Sequence, residues 1–147
     1  MALAERRWSD AEAIYRELPE APEVTLGLAR SLLGQGKGCQ ARSRLEEVTE
    51  ATIYGEAQQL LPLASYLCRY EERDEREETT TMEAQYAHAA SLLRRGNFPA
   101  ALDGLLEILR KDKRDDDGQA KEVVLGIFAL LGDEDPLTQQ YRPECVL

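Results

Sequence analysis

Apolar residues recur at spacings of three and four through residues 10–18, 23–33, 40–48, 56–67, 83–93, 100–109 and 120–131. That period places one apolar stripe along each segment, the signature of an amphipathic helix packed on one side. The two-residue alternation of a half-buried strand is missing, and β-branched runs are nearly absent. An all-α fold of about seven or eight helices follows. The polar and special residues between the stripes agree with it. Ser9 with Glu12, and Thr80 with Glu83, have the spacing of a capping box. Pro22 and Pro136 suit a first helical turn, where no N–H is needed, and Asp135 is a good cap before the second. Gly36, Gly96 and Gly132 stand where helical patterns end, as left-handed C-terminal positions favour. Pro62 falls inside the 56–67 pattern. There the spacing predicts either a kink or two short helices meeting near Leu61.

The helices repeat. With Trp8, Gly38 and Phe98 aligned, three more columns fall into register: Ala11, Ala41 and Ala101; Tyr15, Leu45 and Leu105; Leu18, Val48 and Ile108. Upstream, Leu28-Ala29 matches His88-Ala89, and Leu32-Leu33 matches Leu92-Leu93. The unit reads as helix, tight turn, antiparallel helix, with small residues (Ala29 and Ala41, Ala89 and Ala101) letting the backbones approach. This alternation, with glycine in the turn, resembles the tetratricopeptide repeat (TPR). The closing proline of that motif is missing after Val48 and Ile108, so the repeats are degenerate. One hairpin cannot bury its faces alone, so the expected architecture is a TPR-like helical hairpin array of the α-solenoid kind. Its expected layout is degenerate helices over 1–70, an acidic and threonine-rich linker or helix end over 71–81, and a further repeat plus a C-terminal helical pair over 82–147, forming a single helical domain.

The text from Ala84 onward is more specific. A degenerate repeat, a charged Asp/Gly connector, the helix "IFALLG" and the closing "DPLTQQYR" resemble the C-terminal half of the YbbN (CnoX) family of thioredoxin-like co-chaperones. The N-terminal text fits that family's first repeats as well. The resemblance implies an array that binds unfolded clients and chaperones, a chaperonin among them. No βαβ pattern and no CxxC occur in this sequence, so the family's thioredoxin-like half is not expected among these residues. Its thiol–disulfide activity is therefore not carried over. The terminal "YRPECVL" departs from the family's last helix, with Pro143 interrupting it.

Charge narrows the partners. Lys and Arg total 18 against 28 Asp and Glu, a formal net charge of −10. Such a surface repels phosphate backbones, and no basic stripe with interleaved aromatics offsets it, so nucleic acid is excluded. No apolar run reaches the length of a membrane span. Glu5, Arg6 and Arg7 occupy the place where a secretory signal would be apolar, so the expected setting is cytoplasmic. Cys39, Cys68 and Cys145 are odd in number and widely spaced. They are expected to be reduced thiols, with Cys39 and Cys68 packing as small apolar residues.

Chemistry finds little purchase. Gly34-Gln-Gly36-Lys-Gly38 lacks the preceding strand and the spacing of a phosphate loop. Asp115-Asp116-Asp117-Gly118 would put Lys113 and Val124 at calcium-ligand positions and is rejected. His88 stands in the column of Leu28 and is expected to pack in or near the core, with no nucleophile or orienting acid beside it. No enzyme, cofactor or metal site is expected. Binding is expected on the inner face, which includes Leu26, Arg30, Tyr86 and Arg94. The segment between Ala120 and Arg142 is the alternative surface, and self-association through exposed helix faces is the alternative function.

Overall fold

The computed structural model describes residues 7–71, 80–111 and 119–145. Among them are eight α-helices: α1 Trp8–Glu17, α2 Pro22–Gly34, α3 Gly38–Glu46, α4 Ala51–Tyr70, α5 Thr81–Arg94, α6 Phe98–Lys111, α7 Gln119–Leu131 and α8 Pro136–Tyr141, the last tightening into a 3₁₀ turn over Arg142–Cys145. No strand occurs among the described residues. The all-α, TPR-like hairpin array expected from the periodicity is what the chain forms.

The two hairpin turns are built alike, 60 residues apart. After α2, the Gly36 N–H donates to the Leu33 carbonyl and the Lys37 N–H to Leu32, both at 2.9 Å. After α5, Gly96 donates to Leu93 at 3.0 Å and Asn97 to Leu92 at 2.9 Å. This paired closure needs a left-handed residue, and the two glycines supply it at φ 77° and 79°. The column of Trp8, Gly38 and Phe98 marks the first residues of α1, α3 and α6. Thr80 caps α5 by accepting from the Glu83 N–H at 3.0 Å, and Asp135 caps α8 by accepting from Leu137 at 2.9 Å. The expected box at Ser9 does not form. Helix α1 starts two residues earlier, at Trp8, and its cap position is Arg7 with no side-chain cap. Glu12 is engaged elsewhere, by Arg16 and Gln35 at 2.8 Å each and Lys37 at 3.3 Å.

Helix α4 begins at Ala51, earlier than the pattern suggests, and runs through Pro62 as one continuous element. Of the two outcomes expected there, division into two short helices is thereby excluded. The ring removes one N–H and leaves the Gln58 carbonyl without its usual helical donor. The acidic run over 71–78 lies outside the described residues except for Glu71, as does most of the charged run over 111–117.

Helices α2, α3 and α4 form one three-helix unit, and α5, α6 and α7 form a second. The units meet chiefly through α4 against α7, with α2 touching α7 and α5 touching α4. These contacts exchange when the units are swapped, so the pair is joined face to face through its third helices. The Ala columns do the expected work: Ala29, Ala41 and Ala101 are fully buried. One contiguous core runs through both units. Helix α1 lies on α2, with Trp8 pressed on Gly34 and its ring 6.5 Å from Phe98.

The position of α1 explains a correction at His88. Leu28 is buried beside Tyr15 and Leu18 of the α1 segment. Among the described residues no helix covers α5 in that way, and His88 is exposed. The cysteine expectation is also corrected. Cys39 and Cys68 are joined as a disulfide, with Cα atoms 4.4 Å apart.

Candidate functional site

The four residues expected on an inner face are held inside the packing. Leu26 and Tyr86 are 6% and 4% exposed and belong to the core. The Tyr86 ring stands 6.0 Å from Tyr66, whose hydroxyl donates to the Tyr86 carbonyl. Burial, followed by the neighbouring Tyr70 and Tyr86, pushes the Tyr66 phenol well above its ordinary range, so it stays protonated and able to donate. The two arginines serve helix ends. Arg30 of α2 donates to the Ala129 and Leu130 carbonyls of α7 at 3.2 and 2.6 Å and pairs with Glu56 at 3.0 Å. Arg94 of α5 donates to the Tyr70 carbonyl of α4 at 3.1 Å. Each unit thus sends an arginine to the C-terminal carbonyls of the other's third helix. There the guanidinium satisfies orphan acceptors and opposes the negative end of the helix dipole. The four side chains do not line a common open wall.

An open concavity lies instead where α4 and α7 cross. Its volume is about 610 Å³, and its lining includes Gln58, Gln59 and Pro62 of α4 with Glu122, Leu125, Phe128 and Ala129 of α7, closed by Asp133 and Arg142. Gly126 permits the crossing, because an added Cβ there would stand 3.0 Å from the Leu63 Cβ and 3.4 Å from the Gln59 carbonyl oxygen. Arg142 closes one end by donating to Asp133 at 2.8 Å while its guanidinium lies 5.7 Å from the Phe128 ring centre. The other end continues into a smaller hollow shared at Pro62 and Glu122 and bounded by Ser65, Tyr66, Arg69 and Gln119. Gln58, Pro62, Ser65 and Arg69 form one ridge of α4 at helical spacing. Leu125 is 46% exposed, a large apolar side chain left in solvent beside the trough.

Among the described residues no three His, Cys, Asp or Glu side chains are grouped to hold a metal ion. No described helix is long and apolar enough to cross a membrane. Six of the nine residues lining the larger concavity fall within the 120–142 segment that the sequence offered as its alternative surface. The α4 wall was missed, because its lining residues are polar and Pro62 reads as a helix breaker.

The disulfide was missed as well, although its signal was present. Cys39 precedes the 40–48 pattern and Cys68 follows the 56–67 pattern. In an antiparallel pair those outer ends meet.

Comparison with known proteins agrees with the hairpin geometry. A family model described as tetratricopeptide repeat matches residues 71–144, half of the chain. No curated protein and no solved structure matches the chain. With its paired Gly36 and Gly96 turns, its alanine-lined hairpins and this match, the chain belongs to the tetratricopeptide repeat family.

Proposed function

We propose that this chain is a protein-binding module of co-chaperone type, and that the α4–α7 groove receives apolar segments of incompletely folded proteins. Repeat arrays of this class act by presenting extended surfaces to other proteins rather than by catalysis. The observation that carries the reading is Leu125, exposed at the lip of a concave groove floored by Phe128 and Ala129. The hollow supplies a wall and Leu125 an apolar anchor at its lip, the combination by which a concave site holds an apolar segment. The sequence resemblance to YbbN-type co-chaperones supports clients and a chaperonin as the partners.

The test is suppression of aggregation of a chemically unfolded client, together with titration against a chaperonin. Leu125→Glu places a charge at the lip without touching the core. It is expected to weaken both by roughly tenfold or more while leaving the melting temperature unchanged. Full binding by this variant would remove the groove from consideration.

A second reading, self-association, is favoured by Ile14 of α1 and Leu18 just after its end, 57% and 45% exposed. A mass by light scattering that doubles with concentration, and returns to the monomer value in Ile14→Lys, would establish it.

A further inference from the structure

Three features distinguish the Cys39–Cys68 disulfide from an inert cross-link. Both cysteines are only half-buried, so small reagents can approach the bond. Their proximity is set by packing as well as by the bond. Gly38 lies so close to the last turn of α4 that an added Cβ would stand 2.6 Å from the Leu67 carbonyl carbon, and Leu67 is fully buried. Cys39 also occupies the first turn of α3, where unpaired N–H groups favour an anion. The Cys39 N–H of that turn is itself taken by the Glu71 carboxylate at 3.2 Å, which leaves the remaining first-turn N–H groups to act on the sulfur.

We propose that Cys39–Cys68 is a thiol–disulfide exchange site, at which a dithiol reductant reversibly opens the brace between α3 and α4 while the fold persists. The incoming thiolate attacks the Cys68 Sγ and forms a mixed disulfide. The Cys39–Cys68 bond breaks and its electron pair leaves on Cys39 Sγ, which then takes a proton from water. The reductant's second thiolate then attacks its own sulfur in the mixed disulfide and releases the Cys68 thiolate, which is protonated in turn. Two electrons have moved from the dithiol, now a disulfide, to the protein, now a dithiol. The opening falls beside the Tyr70 carbonyl that Arg94 of α5 grips. The redox state of this pair therefore sets how firmly the end of α4 is held where the second unit is anchored.

The experiment uses the full chain carrying Cys145→Ser, so that every free thiol belongs to the pair. Air-oxidised protein is expected to take up no thiol label under native conditions. After millimolar dithiothreitol without denaturant it should take up two, keep its helical circular dichroism, and melt roughly 10 °C lower, as loss of a cross-link enclosing 29 residues implies. Oxidised dithiothreitol should restore both the blocked thiols and the melting temperature. Two labels before reduction, labels that appear only in denaturant, or loss of helicity on reduction would each overturn the proposal. A dithiol-dependent shift that persists when Cys39→Ser and Cys68→Ser are added would overturn it too, because the effect would then arise elsewhere.

Discussion

Glu12 shows how one carboxylate is recruited away from the role its spacing suggests. The Gln35 side-chain donor, followed by Arg16 and Lys37, draws its carboxyl down from the usual range to about 2. A folded-state pKa below the unfolded value contributes stability that is present above about pH 4.5 and is lost as pH falls toward 2. Glu12→Gln should therefore lower the melting temperature near neutrality and flatten its decline between those two pH values. Melts at half-unit pH intervals check this, and parallel acid limbs for the two proteins would contradict it. Arg30 and Arg94 make a second case. Residue type alone suggests binding hot spots, whereas their guanidinia meet helix-end carbonyls. Arg94→Met keeps the aliphatic stem and removes the cap. A loss of about 1–2 kcal/mol in denaturant unfolding is expected, with client affinity falling no more than that loss explains. A large loss of affinity at unchanged stability would return Arg94 to the binding surface.

At the scale of the helix, most of the fold was legible and two kinds of feature were not. The apolar period located the helices, the 60-residue offset predicted two like turns, and the alanine columns predicted close pairs. Ala101→Leu tests the last point: it should overpack a fully buried site between α5 and α6 and cost about 1–3 kcal/mol in a thermal or urea melt. Equal stability would show slack in that interface. What periodicity could not reveal is which polar ridge faces which neighbour, because the α4–α7 crossing depends on elements far apart in sequence. Nor does an alignment column give a residue's surroundings. Trp8 and Phe98 open α1 and α6 as packed aromatics, but Gly38 in the same column opens α3 against the backbone of α4. Pro62 is legible as a misfit but not in its outcome, since a helix can tolerate a lost bond when its other face is well packed. Pro62→Ala restores the N–H to the Gln58 carbonyl and should stabilise the protein, by less than the roughly 3 kcal/mol an interior proline costs. A destabilised variant would mean that the ring's contacts in the groove outweigh the missing bond.

For the whole molecule, the net charge of −10 governs encounter rather than architecture. Acidic partners are disfavoured at long range, and this repulsion weakens as salt screens it. The larger consequence comes from the way α4 meets α7. A linear stack of repeats is held by nearest neighbours along the chain, so its ends can melt while its middle survives. Here the third helix of each unit is the principal support of the other, and each unit anchors an arginine on its partner's helix end. Unfolding of either unit would strip the other of its main contact across the α4–α7 face. Heat and urea should therefore remove both together, with native-state hydrogen exchange giving α4 and α7 the same opening free energy. The molecule keeps the parts of a repeat protein but loses the modular melting that repeats usually confer.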